Sequence, residues 1–413
     1  MTHANCITRR GFIGCALAGA VGAGWVRAPR GAWADGPVRL LLAADFHYLT
    51  PRLFEEKGFL DGSAYEGAIM TRCLDPIIDA LADDVIAQRP DAFLCLGDLV
   101  FDGETPSHED LVEKFARIQD AGIPVLVIPG NHDINSRSTD GSRTSAQSFA
   151  RFYNAFGRDR AHTCDDASLS YEWRLRDDLR LLMVDCNAVE EPGVLPAETL
   201  AWIEERLARA QADGAHVVSC SHQVLWPSVY NGIAIENSAQ VLDLYERYGV
   251  KLNLSGHVHV QAITQPSPSV TDVTTMALGI APVCYAQVGI DAGQATYDVR
   301  LLDVEGWAHA TGQVDPNLLG FRAFAAAYAH DLHYQTALSI LAGAGLEGPE
   351  AEELAGYAAQ LNRARYDGER AGVGFDPDLA ARWLEIVPET ARRYGYDIDP
   401  STVPDQTHAL VAL

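Results

Sequence analysis

The sequence predicts an α/β layered domain followed by a smaller α-helical one. Three observations carry that expectation. Short apolar runs alternate with longer helical patterns from residue 38 to residue 248, and three consecutive strand-like runs then close the pattern. Near Asp315 the texture turns Ala-rich and helical, with Gly and Pro breaks. The chain has 413 residues, 48% hydrophobic and 21% charged, an ordinary globular composition that excludes a disordered tail-like protein.

In chain order, residues 1–34 read as an export signal. Thr8-Arg9-Arg10-Gly11-Phe12-Ile13 is a twin-arginine (Tat) pattern, a Gly/Ala-rich stretch follows it, and Ala32-Trp33-Ala34 offers a cleavage site. The apolar stretch of about 15 residues is short for a spanning helix, so no stable membrane insertion is expected after cleavage. The expected partner is the Tat machinery, and the expected location is periplasmic, cell-envelope or extracellular. Cleavage moves the formal charge from −25 to −29, because the segment carries four arginines and no acidic residue. Such acidity argues against coating a nucleic-acid polymer or an anionic membrane. It leaves small phosphorylated substrates open, since a metal site supplies positive charge locally. Eight cysteines lie scattered without CxxC pairs, and Cys95, Cys186, Cys220 and Cys284 in or beside apolar runs read as buried thiols.

Strands are expected at 38–44, 91–96, 124–128, 180–184, 216–220 and 250–254, and again at 273–277, 283–288 and 295–303. Helices are expected at 66–88, 107–121, 145–156, 196–211 and 238–248. Ser107 is the expected N-cap of the second, and Pro196 suits the first position of the fourth. Helix patterns at 318–330, 334–344, 349–365 and 379–394 make up the C-terminal domain.

The strand ends carry the chemistry. They lead into Asp45-Phe46-His47, Gly97-Asp98, Gly130-Asn131-His132-Asp133, Ser221-His222 and Gly256-His257-Val258-His259. Taken singly, each reads as a turn or cap. Five ligand-type blocks at five strand ends read as a site, because that edge of an α/β sheet is where ligands bind.

This constellation resembles the calcineurin-like metallophosphoesterase superfamily over residues 37–304. The resemblance implies a four-layer α/β/β/α sandwich over 37–312, with 315–413 as the helical domain. It implies that Asp45, His47 and His259 bind one metal ion, that Asn131, His222 and His257 bind a second, and that Asp98 bridges them through its two oxygens. The cofactors implied are two divalent ions, manganese or iron ahead of zinc, activating a bridging hydroxide for attack on phosphorus. His132 resembles the family's non-ligand catalytic histidine, with Asp133 expected to orient it through its other ring nitrogen. Phe101 stands where purple acid phosphatases carry a tyrosine, which argues against that branch. The stretches 44–49, 97–104, 107–111, 130–134 and 169–171 look like an exported bacterial subgroup related to class III cyclic-nucleotide phosphodiesterases. The implied substrate is therefore a small phosphodiester, a cyclic nucleotide first. The alternatives are a broad phosphomonoesterase and a non-catalytic metal- or phosphate-binding protein. Relatives often have two histidines at the fourth block, so either Ser221 or His222 can align with the ligand, and His222 is the choice here. His108 reads as a capping or surface residue.

Overall fold

Alternate residues of the first strand face two different cores, and that division organises the domain. The computed structural model describes residues 36–54, 69–134, 144–226, 233–368 and 373–413; the twin-arginine segment lies outside them. In β1 (Val38–Ala43), Val38, Leu40 and Leu42 point one way, while Leu41 and Ala43 point the other. Both faces are covered, which is why the strand reads as one apolar run.

The chain continues through α1 (Leu74–Gln88), β2 (Ala92–Leu96), α2 (Thr105–Asp120), β3 (Val125–Ile128) and α3 (Ala146–Tyr153). A second series follows: β4 (Thr163–Cys164), β5 (Tyr171–Arg176), β6 (Leu179–Val184), α4 (Ala197–Asp213), β7 (His216–Ser221), α5 (Ser238–Tyr248) and β8 (Leu252–Ser255). Then come β9 (Ala262–Ser267), β10 (Val270–Thr274), β11 (Cys284–Asp291) and β12 (Gln294–Leu301). Helices α6 (Val304–Thr311), α7 (Pro316–Leu319), α8 (Phe321–Gly343), α9 (Pro349–Asp367), α10 (Pro377–Ile386) and α11 (Pro388–Tyr394) precede β13 (His408–Ala412).

Two sheets form, ordered β13-β12-β11-β1-β2-β3 and β4-β5-β6-β7-β8-β10-β9. Between them Leu40 and Leu42 pack with Leu181, Met183, Val218 and Leu254. Outside the first sheet, Leu41 and Ala43 meet Ile77 and Leu81 of α1 and Phe115 of α2. Outside the second, Leu182 and Val184 meet Ile203 of α4 and Val241 of α5. The result is the four-layer α/β/β/α sandwich. Helices α8 to α11 build a further core around Trp383, whose Nε1 donates to the Leu354 carbonyl at 3.0 Å. No helix among the described residues is long and apolar enough to cross a membrane.

Several local expectations are corrected. α2 starts at Thr105, with Glu104 in the capping position and Pro106 in the first turn, where a missing N–H costs nothing. Ser107 is therefore inside the helix, its Oγ accepting from Thr50 N at 3.2 Å. His108 is neither cap nor surface: it is fully buried, 2.9 Å from the Tyr153 hydroxyl and stacked on Phe152. β13, placed by sequence in a helical segment, pairs antiparallel with β12, sending Ala409 and Val411 into the inter-sheet core. Cys95, Cys186, Cys220 and Cys284 are buried and outside any disulfide, as expected.

Burial holds the His108 imidazole down to about 3. The unfolded chain therefore takes up a proton below pH ~6.5 that the folded chain refuses, and stability falls as pH drops from there toward 3. One such histidine gives a slope of up to about 1.4 kcal/mol per pH unit. Urea midpoints of metal-free protein between pH 6 and 4 should fall less steeply for His108→Gln than for the parent. Equal slopes would contradict the assignment.

Candidate metal centre

The five strand-end blocks meet at the carboxyl ends of β1, β2, β3, β7 and β8, and main-chain bonds lace them together. Asp45 N donates to Gly97 O at 3.1 Å, His47 N to Asp98 O at 2.8 Å, and Gly256 N to His222 O at 3.0 Å. Asp45, His47, Asp98, His257 and His259 all have positive φ, between 44° and 70°. That region is unfavourable for residues with a Cβ, and such strain persists where the surroundings over-determine it, typically at functional sites. Gly97 (φ +83°) permits the approach of His222: a Cβ there would lie 2.6 Å from His222 Nδ1. A Cβ on Gly130 would collide with Asp98.

The side chains converge in two sets that share Asp98. Asp45, His47, Asp98 and His259 offer ligand atoms within 4.8 Å of one another, and so do Asp98, His222 and His257. His47 Nε2 faces His259 Nε2 at 2.9 Å. His222 Nε2 lies 3.1 Å from both Asp98 Oδ2 and Asn131 Oδ1, and 3.2 Å from His257 Nδ1. The opposite nitrogen of His222 donates to Leu96 O at 2.7 Å, which turns Nε2 inward. Ser221 Oγ instead donates to Gln223 O at 2.8 Å, so His222, not Ser221, is the side chain that faces the cluster. His47 Nε2 and His222 Nε2 both approach Asp98 through the same oxygen, Oδ2, at 3.6 and 3.1 Å. Oδ1 accepts the His132 amide at 2.8 Å, so Oδ2 is the Asp98 oxygen that both histidine rings face.

Charge follows burial. Burial keeps His47 and His259 neutral, the latter at about 3, with lone pairs available. Burial opposes ionisation of Asp98, but the electrostatic pull of His222 and His132 and the hydrogen bond from His222 prevail and hold it well below the usual carboxylate range. Burial and the Asp98 charge raise Asp45. Burial works against protonation of His222, yet Asp98 and Asp45 push it up to about 9, so a cation arriving here competes with a proton.

His132 and Asp133 sit at this edge with different tasks. The His132 ring is half-buried, edge-on to His47 at 4.8 Å between centroids, and its Nδ1 donates to Phe101 O at 2.9 Å. The expectation that Asp133 orients that ring is therefore corrected. Its Oδ1 accepts from Leu99 N and Val100 N at 2.8 and 2.9 Å, and its Oδ2 from Gly130 N at 2.8 Å. Asp133 ties the Asp98 loop to the Asn131 loop through the Leu99 and Val100 amides and braces its own loop through Gly130 N. Sequence reading also passed over Asn187 and Gln223, although each closely follows a strand end, and Gln223 is the residue after His222. A cavity of about 1310 Å³, between β11–β12 and α8–α9, is lined by no ligand of this cluster. Convergent donors, not cavity size, locate the chemistry.

The family model of calcineurin-like phosphoesterases matches residues 38–261. The chain is 24% identical over 243 residues to the serine/threonine-protein phosphatase CPPED1 of Homo sapiens, covering 55% of this chain and 71% of that protein. It is 25% identical over 204 residues to the glycerophosphodiester phosphodiesterase GpdQ of Enterobacter lignolyticus, covering 48% and 67%. A probable cyclic nucleotide phosphodiesterase of Synechococcus is 24% identical over 206 residues, covering 49% and 69%. Among solved structures, a dimetal phosphatase from Danio rerio aligns with a TM-score of 0.49 at 14% identity, covering 64% of this chain and 96% of that one. The matched span begins with β1 and ends just beyond His259, so it contains all seven ligand-type side chains, and the chain belongs to the calcineurin-like phosphoesterase family.

Proposed function

We propose that this phosphoesterase hydrolyses small phosphodiesters, cyclic nucleotides first among them, using two divalent cations, manganese or iron ahead of zinc. The observation that carries the reading is the convergence of six ligand-type side chains in two sets that share Asp98, with Asn131 Oδ1 3.1 Å from His222 Nε2 as the seventh. The residues fit a cation pair. Asp98 Oδ2, Asn131 Oδ1 and His257 Nδ1 all lie within hydrogen-bond distance of His222 Nε2, a group of lone-pair-bearing atoms that one cation would satisfy together. Carboxylates and neutral imidazoles without thiolates suit manganese, iron or zinc in a catalytic site.

Asp45, His47 and His259 would hold one cation, Asn131, His222 and His257 the other, with Asp98 shared. When bound, such a pair lowers the pKa of water and draws charge from phosphoryl oxygens. His132 donates through Nδ1 to Phe101 O, which fixes the ring, and in its doubly protonated form Nε2 would hand a proton to the leaving oxygen. The leucine and valine amides that Asp133 captures keep the Asp98 loop closed on the Asn131 loop. The preference for diesters rests on two relatives named as phosphodiesterases and on the motif stretches around Asp45 and Asp98. The relative named as a protein phosphatase supports a second reading, phosphomonoester hydrolysis. The two separate on a pair of substrates. For bis-p-nitrophenyl phosphate, kcat/KM should exceed that for p-nitrophenyl phosphate at least about tenfold, and the reverse order would favour the second reading.

A further inference from the structure

We infer that Asn187 and Gln223 are positioning residues that set the second cation position, resting on the reading of this site as a two-cation centre. Their side chains form a reciprocal amide pair: Asn187 Nδ2 donates to Gln223 Oε1 at 3.0 Å, and Gln223 Nε2 donates to Asn187 Oδ1 at 2.7 Å. Asn187 Nδ2 also donates to Pro129 O at 3.1 Å. Pro129 lies two residues before Asn131, and Gln223 directly follows His222. The pair is therefore a strap between the two loops that bring Asn131 and His222 to 3.1 Å of each other.

The strap is itself anchored. Asp185 Oδ1 accepts from Asn187 N at 2.7 Å and from Ala188 N at 3.0 Å, and Ser221 Oγ donates to Gln223 O. Asn187 and Gln223 are only 1% and 2% exposed, so water does not compete for these bonds. None of the bonds named here runs to Asp45, His47 or His259. That asymmetry is the content of the inference: loosening the strap lets Asn131 and His222 drift apart, while the first set keeps its own ties through Gly97 O, Asp98 O and His257 N. Groups that orient metal ligands without touching the metal commonly change affinity about 10–100-fold when removed.

The test is calorimetric titration of the metal-free full chain with Mn²⁺ alone, with the paramagnetic resonance signal of paired manganese recorded alongside. In Asn187→Ala, one of two binding steps should weaken about 10–100-fold while the other stays within about threefold, and the paired signal should be lost at manganese levels that saturate the parent. Excess Mn²⁺ should then restore kcat. Gln223→Met, which keeps the volume and removes the amide, should reproduce the selective loss and serves if Asn187→Ala fails to fold. Equal weakening of both steps, or no change in either variant, overturns the strap. A parent chain that binds fewer than two ions overturns the two-cation reading itself, and the strap with it.

Discussion

Asp98→Asn should fold as the parent does, lose affinity for both cations, and lose at least about a thousandfold in kcat/KM. The side chain keeps its shape and its Oδ1, which accepts the His132 amide, so the loop stays closed. Asparagine also tolerates the left-handed backbone, where Asp98 sits at φ 48°, better than most residues. What disappears is the charge at Oδ2, the one atom approached by both His47 and His222. Asp45 alone then remains as a carboxylate in the cluster. Removing a single electrostatic partner of a transition state costs about 100–1,000-fold, and here two partners depend on one oxygen. Metal content and kcat/KM measured on the same preparation check this. Full metal content with near-parent turnover would show that Asp98 is not the shared ligand.

His132→Ala should do the opposite to the metals and nearly as much to the rate. Its ring donates to Phe101 O, and His132 belongs to neither ligand set, so both cations should stay bound. Turnover should fall about 100–10,000-fold, the usual span for a positioned general acid. The loss should be smaller for a p-nitrophenolate leaving group than for an alkoxide, because the former departs without a proton. Metal loss would make His132 a ligand, and equal losses for both leaving groups would remove its role as the acid.

The chemistry was legible in the sequence because it is local. Each ligand block spans two to four residues and follows directly on an apolar strand, so a reader sees Asp45-Phe46-His47 or Gly256-His257-Val258-His259 without knowing what lies beside it. What was not legible depends on partners distant in the chain. β13 is five residues of ordinary composition whose identity as a strand comes from pairing with β12, more than a hundred positions earlier. The β4–β5 pair has only two residues in its first strand, too few for any period to show. Asp133 was read as oriented toward its neighbour His132, whereas its carboxylate satisfies amides of Leu99 and Val100, 34 and 33 positions away. Asn187 and Gln223 recognise each other across 36 positions, a match that no pattern of spacing announces. Positive φ at Asp45, His47, Asp98, His257 and His259 is likewise invisible, since Asp and His, though they visit that region more often than most residues, adopt it at only a minority of positions.

The central claim is that two divalent cations share Asp98. Anomalous diffraction from crystals soaked in Mn²⁺ tests it most directly. The account predicts two peaks, one among Asp45, His47 and His259, the other among Asn131, His222 and His257, with Asp98 Oδ2 between them. A single peak, or two peaks of which either lies away from Asp98, would contradict it.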